Sequence, residues 1–363
     1  MRYKKFLALL LALTLVCGSL SGCASERQTE PAEPTVSFTD SLGRTVDIPE
    51  TLTRVAPSGA VASMFLATIA PEYMTTINAT PSSSQYKYLD PRLIELPTTG
   101  QMYGSKSTLN LESVLSSGAQ AVIDLGDKKD NIAADLDALQ RQIGMPVIFI
   151  EADLPHMAEA YRTLGKVLSG KEARGEELAA FVEETVSMAE ENAAKIQDAE
   201  RISVLYTSGS SGLNTNAKGS IQAQVLDLMG IENAAVVEDV SNKGGGNPIN
   251  LEQLYRFDPD VILFAAGSIY QTAAVDEAWQ PLRAIEAGRY YEIPSMPYNW
   301  LSNPPSLNML LGVWWLGNLL YPQYYAYDMV EKTQEMFRLF WSYDLSADEA
   351  RAMLANSTLK DAP

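Results

Sequence analysis

The sequence predicts an α/β protein: two Rossmann-like lobes, each built on a central parallel-type sheet, joined by a single long connecting helix. Three observations predict it. A seven-residue phrase at Leu109 to Leu115 (LNLESVL) returns 140 residues later at Ile249 to Tyr255 (INLEQLY). Each copy runs on into a strand-length apolar run, Ala121-Val122-Ile123 in the first and Val261-Ile262-Leu263 in the second. Between the copies, residues 155 to 196 carry apolar positions at three- and four-residue spacing, the period of a helix. A unit used once in each half means two similar lobes, and two lobes make a cleft between them.

The elements follow in order. Met1 to Lys5 holds three positive charges, and Phe6 to Val16 is an apolar run too short to span a bilayer comfortably. Ser21-Gly22 then precedes Cys23, the pattern of a bacterial lipoprotein signal. Residues 1–22 are expected to be removed and Cys23 to carry a diacylglycerol thioether. Two acyl chains anchor stably where one is marginal. Residues 23–36 are polar, contain Pro31 and Pro34, and read as a tether. The N-terminal lobe is expected over 37–153. It starts with a hairpin at Thr39 to Pro49 that turns at Gly43, followed by the strand Arg54-Val55-Ala56 and a helix with Val61, Met64, Phe65 and Ile69 on one face. Met74 to Ala79 is a further strand candidate. Thr80 to Lys106 is long, polar and rich in Pro, Ser, Gly and Tyr, the composition of a functional or mobile loop. The first repeat unit, a helix near Asn131 to Ile143 and the strand Pro146 to Ile150 complete the lobe.

The connecting helix is placed at 154–198, with at most a break at Ser169-Gly170. Some 40 residues of helix would reach about 60 Å. The C-terminal lobe, 199–363, restarts with the strand Ile202 to Tyr206. Next come a Gly/Ser/Asn-rich loop, a helix at Gln222 to Met229, the Gly-rich loop Ser241 to Pro248 and the second repeat unit. A strand at Arg289 to Ile293, a loop at Ser295 to Pro305, an amphipathic helix at Ser306 to Leu320 and two outer helices in the tail finish it.

Composition excludes several functions. The chain of 363 residues has a formal charge of −18, and loss of the signal removes three basic residues and no acidic ones, giving −21. Nucleic-acid phosphates would be repelled, so no nucleic-acid partner is expected. Of the two cysteines, Cys17 lies in the signal, so the mature chain has no disulfide. His156 is the one histidine, which rules out a Ser-His-Asp triad without it and any multi-histidine metal site. Its place in Leu154-Pro155-His156-Met157 suits a cap or surface role. Gly244-Gly245-Gly246 lacks the Lys-Ser/Thr of a phosphate loop and reads as flexible. No catalytic residue, cofactor or resident metal is expected.

The repeat glutamates are the sharper signal. Asn110 and Asn250 can cap helices whose first turns hold Glu112 and Glu252. Capping alone would account for carboxylates there. The functional alternative is that one glutamate on each lobe engages basic residues of a membrane partner.

Taken together, the chain resembles the ABC-transporter substrate-binding lipoproteins of the iron-siderophore, haem and cobalamin type. The resemblance rests on Thr39 to Pro49 with Arg54-Val55, the two Asn-Leu-Glu units, Tyr161-Arg162-Thr163-Leu164-Gly165, and Val204-Leu205-Tyr206 with Gly219-Ser220. It continues through Asp258 to Ile262, Gly288 to Pro294 and Gly312 to Leu316. Gly118-Ala119-Gln120 departs from the Asp258-Pro259-Asp260 of the second unit. The resemblance implies two lobes joined by one long helix, a monomeric binding protein anchored outside the cytoplasm, and an ABC importer permease with its ATPase as partner. It passes permease docking to Glu112 and Glu252. The ligand it implies is an iron complex of siderophore or haem type. Cobalamin or a molybdate or tungstate oxyanion is the alternative, and a non-transport sensor or adhesion lipoprotein is a reading of another class. Ligand residues are expected in loops at the C-terminal ends of strands. These nominate Ser58, Tyr103, Lys106, Ser208, Lys218, Ser268, Tyr298 and Trp300. The aromatic rings offer flat contact to a chelate and the lysines offer charge.

Overall fold

The computed structural model describes residues 33–103 and 108–358. The signal, Cys23, nearly all of the tether and Lys106 lie outside the described residues. A hairpin of β1 (Thr35–Thr39) and β2 (Thr45–Pro49) turns at Gly43, whose φ of 78° is the left-handed region that glycine enters without a Cβ clash. The N-terminal sheet is β3 (Val55–Pro57), β4 (Ala121–Gly126) and β5 (Val147–Glu151), in that order and all parallel. Side chains alternate across it. Val55, Ala121, Ile123, Ile148 and Ile150 face the main core, while Ala56, Val122, Val147 and Phe149 face a smaller outer one. Both faces are covered, as a parallel sheet requires. Covering helices include α1 (Ala60–Ile69), α2 (Leu111–Ser116) and α3 (Ile132–Ile143). Met74 to Ala79 forms only isolated parallel bridges, Val55 with Met74 and Ile77 with Thr98, rather than a strand.

The connection between lobes departs from the expectation. Residues 154–198 are not one helix of about 60 Å. Helix α4 (Met157–Val167) stops at Leu168, the chain turns through Gly170 at φ 73°, and α5 (Glu172–Ala193) folds back along α4. Two glycines permit the close approach. A Cβ on Gly175 would lie 2.6 Å from the Tyr161 carbonyl oxygen and 2.9 Å from the Gly165 Cα. Arg162 joins the pair from outside, donating to Glu176 and Glu183 at 2.6–3.0 Å. Helical periodicity continued across the turn because both arms bury one face against the same core. The true connector is α5, whose 22 residues span about 33 Å.

The C-terminal sheet runs in the order Tyr290–Glu292 (β11), Val261–Phe264 (β10), Ser203–Thr207 (β6) and Glu232–Asn233 (β8), all parallel. Two-residue strands β7 (Asn214–Thr215) and β9 (Asn247–Pro248) pair antiparallel beside it. Helix α6 (Gln224–Leu228) and the second repeat helix α7 (Leu251–Phe257) cover this sheet. Helix α8 (Asn308–Leu320) is not amphipathic: all of its residues but Asn318 are buried. Trp314 Nε1 donates to Thr185 Oγ1 at 2.9 Å, fixing it to the connector.

The tail also differs from expectation. Helix α9 (Met329–Trp341) is not an outer decoration, for Met336, Phe337 and Phe340 are buried, and the Phe340 ring lies 5.6 Å from Phe181 and 6.2 Å from Tyr161. Helix α10 (Ala347–Leu354) closes on it. Nor is the segment from Thr80 free. Tyr88 stacks edge-on against Phe337 and Tyr343, Lys87 pairs with Glu349 at 3.0 Å, and Gln85 donates to the Pro297 carbonyl at 2.7 Å. One buried cluster therefore holds Val55 and Ile123 of the first sheet, Val204 and Leu263 of the second, and both tail helices. Such a core resists hinge closure. Ligand is expected to leave the radius of gyration in solution scattering almost unchanged, and a large fall on binding would contradict it.

Candidate functional site in the cleft between the lobes

A cleft of about 450 Å³ opens between the two halves, within the size range of small-molecule sites. Its N-terminal wall is made where β3 and β4 end. Ser58 follows β3, and its backbone N–H donates to the Ile123 carbonyl at 3.0 Å, which sets the hydroxyl beside the Asp124 carboxylate to which it donates. Asp124 is the one charge within the buried strand β4. Burial pushes its pKa up to about 6, against the hydrogen bond from Ser58 and the pull of Lys129. The Lys129 ammonium pairs with Asp127 at 3.0 Å and lies 4.9 Å from the centre of the Tyr103 ring. Burial, then the Asp124 charge, drive the Tyr103 phenol well above its ordinary value. Ala60, Val61 and Ala62, the first turn of α1, also line the cleft, and Gly59 gives that helix no side-chain cap.

The opposite wall comes from Ile221, Gln222, Asn242, Gly244 and Asn303 to Pro305. Gln222 Nε2 donates to the Asn242 carbonyl at 2.9 Å, which fixes the amide and leaves its Oε1 buried. Among the described residues, that oxygen and the Tyr103 hydroxyl have no hydrogen-bond partner. The two walls thus each hold a buried polar atom awaiting one.

Of the nominated ligand residues, the structure brings Ser58 and Tyr103 to the cleft. Lys106 lies outside the described residues. The other five do not line it. Ser208 is paired through its backbone with Asn214, Lys218 is exposed, and Ser268 is half-buried after β10. Tyr298 packs against the core, where burial lifts its phenol to about 12. Trp300 is fully buried, and its indole N–H is used by the Met296 carbonyl at 2.8 Å. A large ring in a loop found the core instead of the cleft. Trp300→Ala is accordingly expected to cost about 3–5 kcal/mol in urea unfolding. A loss below about 1 kcal/mol would contradict the core assignment.

Sequence reasoning missed Asp124, Lys129, Gln222 and Asn303. For Asp124 the signal was present: a lone acid inside the apolar run Ala121 to Leu125. His156 stands apart from the cleft with Glu151 and Asp153, their ligand atoms within 4.8 Å of one another, and Asp153 accepts from the His156 backbone as a cap. The Lys128 ammonium sits 2.6 Å from Glu151 there.

The repeat units match in three dimensions. Asn110 accepts from the Ser113 N–H at 3.1 Å, and Asn250 from the Gln253 N–H at 2.9 Å. Val114 and Leu254 point inward and are fully buried, and Glu112 and Glu252 stand exposed. Each helix is preceded by a segment bonded or joined to the cleft lining. Asn110 follows Thr108, whose N–H bonds to the carbonyl of the lining residue Gln101, and Asn250 follows the strand that leaves the Asn242–Gly244 loop.

A family model described as periplasmic binding protein matches residues 56–297, two thirds of the chain and both sheets. The chain belongs to the periplasmic binding protein family. Among solved structures, this binding protein is similar to an ABC transporter solute binding protein from Sulfurospirillum deleyianum. The two are 26% identical over 88% of this chain and 99% of that one, with a TM-score of 0.80. A periplasmic solute binding protein from Veillonella parvula matches at 21% identity over 89% and 98%, TM-score 0.72. The molybdate periplasmic binding protein MolA of Haemophilus influenzae, solved with molybdate, matches at 17% over 86% and 99%, TM-score 0.69. No curated protein matches the chain. The binding protein is the solute-binding component of an ABC importer, which places its work outside the cytoplasm and gives it a permease and ATPase as partners.

Proposed function

We propose that this binding protein captures an organic metal chelate, an iron complex of siderophore or haem type, in the cleft between its lobes and hands it to the permease. The observation that carries this reading is the pair of unpartnered polar atoms on opposite walls, the Tyr103 hydroxyl and Gln222 Oε1. Gln222 Oε1 and the Asp124 carboxylate are acceptors, which favours a ligand with donor hydrogens. The Tyr103 hydroxyl and Lys129 are donors, which favours acceptors on it too. A chelate with an organic shell has both. A deprotonated tetrahedral oxyanion has acceptors only, and Asp124 would repel it. It would also fill a small part of a cleft with the volume of roughly fifteen waters at about 30 Å³ each. The open first turn of α1 is the feature that favours an oxyanion, and the likeness to MolA concerns the fold.

Among the described residues the cleft lining includes no histidine or cysteine. The family binds solutes, and we read the role as binding without catalysis. We read Cys23 as the lipid anchor and Glu112 and Glu252 as the permease contacts. Native mass spectrometry of protein isolated from its source tests the ligand: a bound mass containing iron is expected, and a bound molybdate or tungstate would overturn the reading. Intact-mass analysis of the membrane-extracted chain should show lipid on Cys23 as its first residue, and a free thiol there would exclude the anchor.

A further inference from the structure

We propose that Leu115 and Tyr255, with Leu251 beside the latter, are the apolar anchors by which the two lobes seat on the permease. This rests on the reading of Glu112 and Glu252 as permease contacts and extends it from charge to packing. Eight large hydrophobic side chains stand exposed among the described residues. Three of them are on the two repeat helices, which are only six and seven residues long. Leu115 is 50% exposed, Tyr255 43% and Leu251 40%.

Their placement is systematic. Leu115 lies three residues after Glu112, and Tyr255 three after Glu252, so each shares a helix face with its glutamate. They are the same position of the repeated phrase. The position before each, Val114 and Leu254, already supplies the fully buried contact to the sheet. Leu115 and Tyr255 therefore serve neither lobe's core, yet a hydrophobic residue stands there twice. On a chain of formal charge −18 such side chains are conspicuous on the face that also carries the exposed carboxylates.

Each helix follows a segment joined to the cleft lining, so the two acid-and-apolar pairs stand one on each lobe. The partner they fit has two equivalent sites, each an apolar pocket beside a basic group, one for each lobe. A permease with a two-fold axis over its entrance has that form. The pairing of an anchor with a neighbouring charge suits an interface in which apolar contacts set the lifetime and charges set the encounter. Tyr255 offers more area and a hydroxyl than Leu115, so it is expected to count for more.

The test uses the full chain, immobilised without added ligand, against detergent-solubilised membranes of its source. Retained ABC permease and ATPase subunits are quantified by mass spectrometry. Three forms are compared: wild type, Leu115→Asn with Tyr255→Asn, and Glu112→Lys with Glu252→Lys. Recovery is expected to fall at least tenfold in both double variants, with circular dichroism unchanged and both still melting as folded proteins, and Tyr255→Phe should keep most of it. If the glutamate variant loses the complex and the apolar variant retains it, this inference fails and the docking reading stands. If both variants retain it, the docking reading fails as well. Self-association of the wild type in sedimentation, abolished by Leu115→Asn with Tyr255→Asn while recovery stays normal, would assign the face to a second copy of this chain and overturn the proposal.

Discussion

Cells carrying Glu112→Lys with Glu252→Lys are expected to lose uptake altogether, while the purified variant binds its ligand as the wild type does. The structure separates this outcome from a simple loss of helix capping. The caps are already complete without the carboxylates: Asn110 accepts from Ser113, and Asn250 and Gln253 form a reciprocal pair. Glu112 has no ion pair among the described residues, and the contact of Glu252 is with Arg256 one turn along its own helix, 3.3 Å away. A carboxylate in a first turn contributes about 0.3–1 kcal/mol through the helix dipole. An exposed pair at that spacing adds about 0.3–0.5 kcal/mol. Losing these contributions at both sites costs about 0.9–2.5 kcal/mol, and reversal to lysine up to about twice that, against the roughly 5–15 kcal/mol that holds a chain folded. Reversal of two charges at a partner's basic sites is a far larger perturbation, because attraction becomes repulsion at both contacts. Transport assays in cells and ligand titration of the purified variant provide the paired measurement. Normal uptake by the double variant would defeat the docking role and leave the two-lobed fold untouched.

Asp124→Asn is expected to make the protein more stable at neutral pH and worse at its task. Burial raises the Asp124 pKa from 3.8 to about 6. In the interval between those values the folded state holds a proton that the unfolded state has released. Stability therefore falls as pH rises from about 4 to about 6, and stays lower by roughly 2–3 kcal/mol above that. The amide removes this penalty, so the variant should gain about that much at pH 7 and match the wild type below pH 4. Urea unfolding of both proteins across that range measures it, and parallel stability curves would show that Asp124 does not titrate between the two values. The cost appears in binding. An ionised acceptor is worth about 1.5–3 kcal/mol to a donor placed against it. Affinity at pH 7 should drop by one to two orders of magnitude. This is the pattern of a group kept for its ligand at the expense of the fold.

The architecture was legible because it is written in periodicity. Burial of every residue in Val55 to Pro57, Ala121 to Gly126 and Val261 to Phe264 follows directly from apolar runs of strand length, and the repeated Asn-Leu-Glu phrase marked the same helix in each lobe. The turn at Ser169-Gly170 was visible, but its consequence was not. Whether a helix continues or folds back depends on Gly165 and Gly175 meeting face to face, a contact between residues that local pattern treats separately. The cleft was legible only in part. The end of β3 located Ser58, whereas Tyr103 reaches the cleft from a long segment that holds no strand. Chemical type misled at Trp300 and Tyr298: an aromatic ring suits a flat ligand and a core equally, and only packing decides between them. Gln222, at the start of a helix, and Asn303, in a polar loop, carry no signal of their own, because their meaning comes from the opposite lobe.

The shared interior has a consequence for how this molecule comes apart. Arg174, near the start of the connector, donates to the Thr68 carbonyl at the end of α1 and to the Leu339 carbonyl at the end of α9, so one guanidinium ties the first lobe to the tail of the last. With Phe340 seated among Tyr161 and Phe181, neither lobe keeps a complete interior when the tail is removed. Denaturation should then be all-or-none for the whole chain rather than lobe by lobe, and calorimetric and van't Hoff enthalpies should agree. A cooperative unit of this kind reports occupancy anywhere within it as a rise in a single melting temperature, growing with the logarithm of ligand concentration above Kd. Thermal shift alone can thus rank candidate chelates, and cutting the chain before Met329 should abolish the transition rather than split it.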